Sequence, residues 1–162
     1  MFQANPHGAG YMVARDGKVE IHKGFMDFTE YWANIQSEQF TKDDVVIYHC
    51  RISTQGGVNR EMCHPFPFTS KIEGLKALDV ECQIGIAHNG IIRMTSYPDK
   101  EYSDTAHFIA EYLPHIIHSV KDLRNPEVLT IIDNLIGSKM VLMDNKGYTA
   151  IVGHWITDKD GL

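Results

Sequence analysis

The stretch "YHCRISTQGGVNREMCHPFPF", followed about twenty residues later by "GIAHNGII", concentrates side chains capable of chemistry in one part of a 162-residue chain. Arg51 offers a planar guanidinium that can grip a carboxylate through two parallel hydrogen bonds. Asn89 and Gly90 offer an amide and a following backbone N–H, the kind of paired donors that stabilise an oxyanion during acyl transfer. Asp104 stands in the first turn of an expected helix, where a carboxylate suits the helix dipole. Gly56 and Gly57 permit close backbone approach, and Thr54 and His64 flank them on the same loop.

The other reactive side chains carry less. Cys50 alternates with Arg51 on an expected strand, so it should point away from Arg51 and into the core. Cys63 beside His64 suggests a nucleophile and base, but neighbours in sequence need not meet in space. The cysteines at 50, 63 and 82 are odd in number and lack CxxC spacing, which argues against a disulfide framework and fits a reducing compartment. His49, His64 and His88 match no closed zinc spacing, so neither a metal nor any other cofactor is expected.

These residues need a scaffold. Asp16-Gly17 between two β-prone runs, Gly10 to Arg15 and Lys18 to Lys23, predicts a two-residue hairpin. Asp27 predicts a cap for a helix whose Phe28, Tyr31, Trp32 and Ile35 share one apolar face. Val45 to His49 reads as a buried strand, and the glycines and prolines from Gly56 to Pro67 read as a long ordered loop. Ile84 to Ala87 and Ile91 to Met94 read as strand ends joined by a turn at "HNG". Ser103 caps a helix bearing Phe108, Ile109, Tyr112 and Leu113, which Pro114 kinks or ends. Pro126 opens another helix, closed by Gly137. Met140 to Met143 and Tyr148 to Val152 flank the turn "DNKG". Hairpins at both ends with helices between them predict a single α+β domain built on mostly antiparallel sheet.

Composition limits the partners. The chain has 15 basic and 21 acidic side chains, a net charge of -6, which disfavours general nucleic-acid binding. No apolar run approaches the roughly 18 residues of a membrane span, and "MFQANPHGAG" lacks the basic and apolar regions of a signal peptide. The expectation is a cytoplasmic protein with a small-molecule or protein partner.

Taken in order, "NPHGAGY", "HCRIST", "GG" at 56 and 57, "HPF", "AHNG" and "SDT" at 103 to 105 resemble the class II glutamine amidotransferases of the N-terminal nucleophile hydrolase superfamily, with spelling similar to small single-domain bacterial and phage members. The resemblance covers most of the chain from Asn5 to Thr105, and "GSKMVLMDNKGYTAIVG" also fits. It implies a four-layer αββα sandwich and no cofactor. It implies glutamine as ligand, with Arg51 on the α-carboxylate, Asp104 on the α-amino group, and Asn89 with Gly90 as oxyanion donors. Thr54, Gly56, Gly57 and His64 would shape or order the pocket. In that family the nucleophile is a cysteine at the mature N-terminus, whose own amine is the base, on a strand ahead of the segment matching "NPHGAGY". This chain begins "MFQANPHGAG", and the expectation is a sandwich lacking that first strand. Two readings stand: a longer form supplies the cysteine and the domain releases ammonia from glutamine, or the domain is an inactive relative acting as a protein-binding or inhibitory module. A sheet edge exposed by the missing strand would invite a partner chain or a second copy.

Overall fold

A computed structural model describes residues 1–53, 57–93 and 101–156. Strand β1 (Ala9–Arg15) turns at Asp16 and Gly17, both with positive φ, into β2 (Lys18–Phe25). That is the backbone geometry a two-residue hairpin requires. Helix α1 (Phe28–Ser37) starts where the Asp27 carboxylate accepts the N–H groups of Thr29 and Glu30. Strand β3 (Val45–Cys50) pairs antiparallel with β1, and β5 (Asp79–Cys82) with β2, giving a sheet of order β3-β1-β2-β5 once the two-residue β4 (Phe66–Pro67) is set aside. Strand β4 belongs to the second sheet, of order β4-β6-β7-β8, formed with β6 (Ile84–Asn89), β7 (Lys139–Asp144) and β8 (Thr149–Val152).

Between β6 and β7 the chain is helical. The Ser103 hydroxyl caps α2 (Asp104–His107), which continues through a wider turn at Phe108–Tyr112 and a tight one at Leu113–His115 containing Pro114. Proline cannot donate the next helical bond, and the regular helix does not resume beyond it. Helix α3 (Pro126–Ile136) has its proline in the first turn and ends at the left-handed Gly137, as its sequence predicts.

Side-chain alternation sorts the core into layers. Ala9, Tyr11 and Phe25 face α1 and its Tyr31. On the opposite face, Met12, Val19 and Ile21 meet Ala87 and Met143 of the second sheet. The far face of that sheet packs Ile86, Met140 and Leu142 against Phe108, Ile109, Leu113, Ile132 and Ile136. The architecture is α+β with two antiparallel sheets. Among the described residues, no helix is long and apolar enough to cross a membrane.

Three expectations change. Among the described residues, β3 is an edge strand with no fully buried residue, because it pairs with β1 on one side only. The α1 face is narrower than its spacing implies: Tyr31 is buried, whereas Phe28 and Trp32 are 51% and 48% exposed, since one helix over a twisted sheet covers only its central stripe. "HNG" is not a hairpin turn; β6 pairs with β4 and β7, and residues 91–93 leave the sheet. Met94 lies outside the described residues.

Candidate functional site

Arg51 follows the last residue of β3, and its side chain is 4% exposed. Its Nη1 donates to the Gly57 carbonyl at 2.8 Å, and that carbonyl also accepts the Ser53 hydroxyl at 2.6 Å. Gly57 therefore acts on the site through Arg51. Burial lowers the guanidinium below its ordinary value, opposed by Cys63 and Asp104.

Asp104 is buried at the start of α2. Its Oδ2 accepts the Ile92 N–H at 2.7 Å and its Oδ1 the Thr105 N–H at 2.8 Å. Oδ1 also accepts the Thr105 hydroxyl at 3.4 Å, which leaves Oδ2 with a second lone-pair direction for a ligand. Asn89 ends β6 with an exposed side chain, and Gly90 follows at φ +135°, where an added Cβ would stand 2.7 Å from Cβ of Ser138. Only glycine turns the chain there without strain.

Arg51, His64, Asn89, Gly90 and Asp104 line one cavity of about 640 Å³ between the sheets, inside the range of roughly 300–1,000 Å³ usual for small-molecule sites. It has a cation at one point of its wall and an anion at another, so it is dipolar. Thr54 and Gly56 lie outside the described residues.

Histidines shape the wall more than their spacing suggests. His49 Nε2 donates to the His88 carbonyl at 3.0 Å, tying β3 to β6. His88 is held on both nitrogens, by Thr105 Oγ1 at 2.8 Å and Ser138 Oγ at 2.7 Å. His64 is buried edge-on to His49, with ring centroids 4.5 Å apart, and edge-on to Phe66. Burial lowers His49 and His88 to about 4 and His64 well below its ordinary value, so all three rings are neutral at neutral pH. His49 and Thr105 went unassigned in the sequence, although His49 stands two residues from Arg51 and therefore shares its face of β3.

None of the cysteines is poised as a nucleophile. Cys63 is buried, with its thiol near the Asn59 carbonyl at 3.5 Å, and burial raises its ionisation. Burial also raises Cys50, which packs on the α1 side, and Cys82, the latter to about 12. Among the described residues, no group of three or more His, Cys, Asp or Glu is placed to hold a metal ion. Compared with models of known families and with curated proteins, the chain matches none.

Proposed function

We propose that this is a glutamine-binding domain of the class II amidotransferase type, built as the αββα sandwich of the N-terminal nucleophile hydrolases. The supporting observation is that Arg51, Asn89, Gly90 and Asp104, distant in sequence, border one cavity. A free α-amino acid carries a carboxylate and an ammonium on one carbon, and a buried guanidinium with a buried carboxylate is the complementary pair. Arg51 binds the α-carboxylate and Asp104 the α-ammonium, which directs the side chain toward the remaining wall, where Asn89 and the Gly90 N–H meet the amide oxygen.

Hydrolysis in this reading belongs to a form that presents an N-terminal cysteine. The thiol gives its proton to the α-amine as its sulfur attacks the side-chain carbonyl carbon, the amine passes that proton to the leaving nitrogen, and ammonia departs. Water then hydrolyses the thioester to glutamate, and the oxyanion of each tetrahedral intermediate is held by Asn89 and Gly90. A second reading, an inactive protein-binding module, draws support from β3, whose outer edge is unpaired among the described residues.

Calorimetry with L-glutamine tests the first reading. Binding that is lost in Arg51→Ala supports it, and binding that is unchanged in that variant removes the amino-acid pocket.

A further inference from the structure

The residues that meet the amino-acid head groups account for only part of the cavity. A space of about 640 Å³ holds roughly twenty groups of the size of a water molecule at about 30 Å³ each, and free glutamine, with about ten non-hydrogen atoms, fills roughly half of it.

The strand ladder shows what the remaining wall is made of. Asn89 pairs with Lys139, and Ala87 pairs with Val141, which pairs in turn with Ile151. Residues opposite one another in a ladder, and residues two apart on one strand, leave the same face of the sheet. These five side chains therefore share the face of the second sheet that looks toward the first, where Ala87 packs. Beside Asn89 that face is apolar. Ala87 and Val141 line the cavity, and Ile151 next to them is 58% exposed, since the first sheet ends at β3 among the described residues and does not reach over it. Trp155 also lines the cavity; its Nε1 donates to the Val152 carbonyl at 2.9 Å, which anchors an indole that is 41% exposed. The Lys139 ammonium lies 5.8 Å from the centre of that ring, so a cation stands at the same rim.

Free glutamine makes no use of this surface. Its α-carboxylate goes to Arg51, its α-ammonium to Asp104 and its amide oxygen to Asn89 and Gly90, which leaves the amide nitrogen as the polar atom from which a larger ligand can grow. A primary amide nitrogen carries two N–H donors, and the wall beside Asn89 meets them with methyl groups and indole carbons. A secondary amide replaces one N–H with carbon, and an apolar or aromatic group on that carbon covers the wall and leaves water.

We propose that this domain binds γ-glutamyl amides whose nitrogen carries an apolar or aromatic group, in preference to free glutamine, and that Val141 and Trp155 receive that group. The assignment rests on the amino-acid pocket proposed above for the glutamyl part, but the apolar wall can be tested without it. Such a group can come from an amine or from an amino acid, and an amino acid brings a carboxylate for Lys139 to meet.

Two measurements on the full chain test this. Calorimetry compares L-glutamine, γ-L-glutamylbenzylamide and γ-L-glutamyl-L-phenylalanine. The benzylamide should bind at least about tenfold more tightly than glutamine, because even one methylene in an apolar pocket is worth roughly 10–200-fold, and Trp155→Ala should bring that ratio to within about threefold. No gain over glutamine, or a gain undiminished in Trp155→Ala, overturns the proposal. A dipeptide that binds more tightly than the benzylamide, by a margin lost in Lys139→Met, assigns the group to an amino acid; a dipeptide that binds no better assigns it to an amine. In the second measurement the Trp155 indole N–H is followed by NMR during titration with N-benzylacetamide, which has the substituted amide and neither α-group, and with γ-L-glutamylbenzylamide. The signal should move, and one that both compounds leave in place overturns the proposal. If the indole moves while benzylamide binding ignores Arg51→Ala, the amino-acid pocket falls and the apolar wall stands. If glutamine binding needs Arg51 but neither substituted amide improves on it, the reverse holds.

Discussion

His49 and His88 are joined by a hydrogen bond from the His49 Nε2 to the His88 main-chain oxygen at 3.0 Å, linking the edge strand of one sheet to the strand of the other that ends in Asn89. This bond joins the two strands at whose ends Arg51 and Asn89 stand. It also leaves an imidazole lone pair shielded from solvent on the wall.

The carboxylate of Asp104 should matter to ligand binding through its charge. Asp104→Asn keeps the shape and an oxygen for the Ile92 or Thr105 N–H, but removes the negative partner of an α-ammonium. L-Glutamine binding should weaken by roughly tenfold or more, since a charge-assisted hydrogen bond is worth about 1.5–3 kcal/mol. Glutaramate, the analogue without the amino group, should bind the two proteins alike. Equal loss for both ligands by calorimetry would show that the substitution disturbs the pocket and that Asp104 does not read the ammonium.

Acid should destabilise the fold before the carboxylates titrate. His49 and His88 are lowered from 6.5 to about 4 by burial, and His64 is lowered in the same direction. The unfolded chain therefore binds more protons than the folded one between about pH 6.5 and 4, so stability is complete above that window and is lost as pH falls through it. At about 1.4 kcal/mol per pKa unit, each of the two valued histidines contributes on the order of 3 kcal/mol. Urea denaturation at pH 7.5, 6 and 5 measures the slope; a flat profile would contradict neutral buried rings. His64→Phe should flatten it and hold or raise stability at pH 7 by about 1 kcal/mol, because an apolar ring replaces unsatisfied nitrogens.

Backbone geometry makes Gly90 hard to replace. Gly90→Ala places a methyl group 2.7 Å from Cβ of Ser138 at a φ of +135°. A loss of about 1–3 kcal/mol is expected, the cost of a residue held in a sparsely populated region. Ser138→Gly in the same chain relieves the contact but leaves the backbone strain and removes the hydroxyl bonded to His88 Nε2, so thermal unfolding should recover only in part. Full recovery would assign the whole effect to the contact.

Lys23 is a buried amine behind the site. Its Nζ donates to the carbonyls of Glu61 at 2.7 Å and Leu75 at 2.6 Å and lies 3.9 Å from the centre of the Phe66 ring. Burial lowers its ionisation to about 7. Lys23→Met removes the unfavourable burial of a polar amine but strands two carbonyls. Because a buried unsatisfied acceptor costs about 1–3 kcal/mol, a net loss of roughly 2 kcal/mol is expected at pH 7.5. Chemical denaturation that shows a gain would mean the cost of burying the amine outweighs its hydrogen bonds.

Local chemistry made much of this legible in one dimension. Asp16-Gly17 specified the first hairpin, Asp27, Ser103 and Pro126 specified helix starts, and Gly137 a helix end, because turns and caps are settled by a few adjacent residues. The spelling around Arg51, Asn89, Gly90 and Asp104 picked out residues that border one cavity. Pairing partners were not legible. The same Asn89-Gly90 step that suits a hairpin instead ends β6, since β6 finds its neighbours in β4 and β7. The exposure of Phe28 and Trp32 depends on how much of the sheet α1 spans, which helical periodicity does not contain. His49, His64 and His88 looked alike in the sequence. Only their tertiary neighbours made His88 a fully bonded strut and left His49 and His64 with buried nitrogens that have no partner among the described residues, because a ring's hydrogen-bonding character is set by what folds against it.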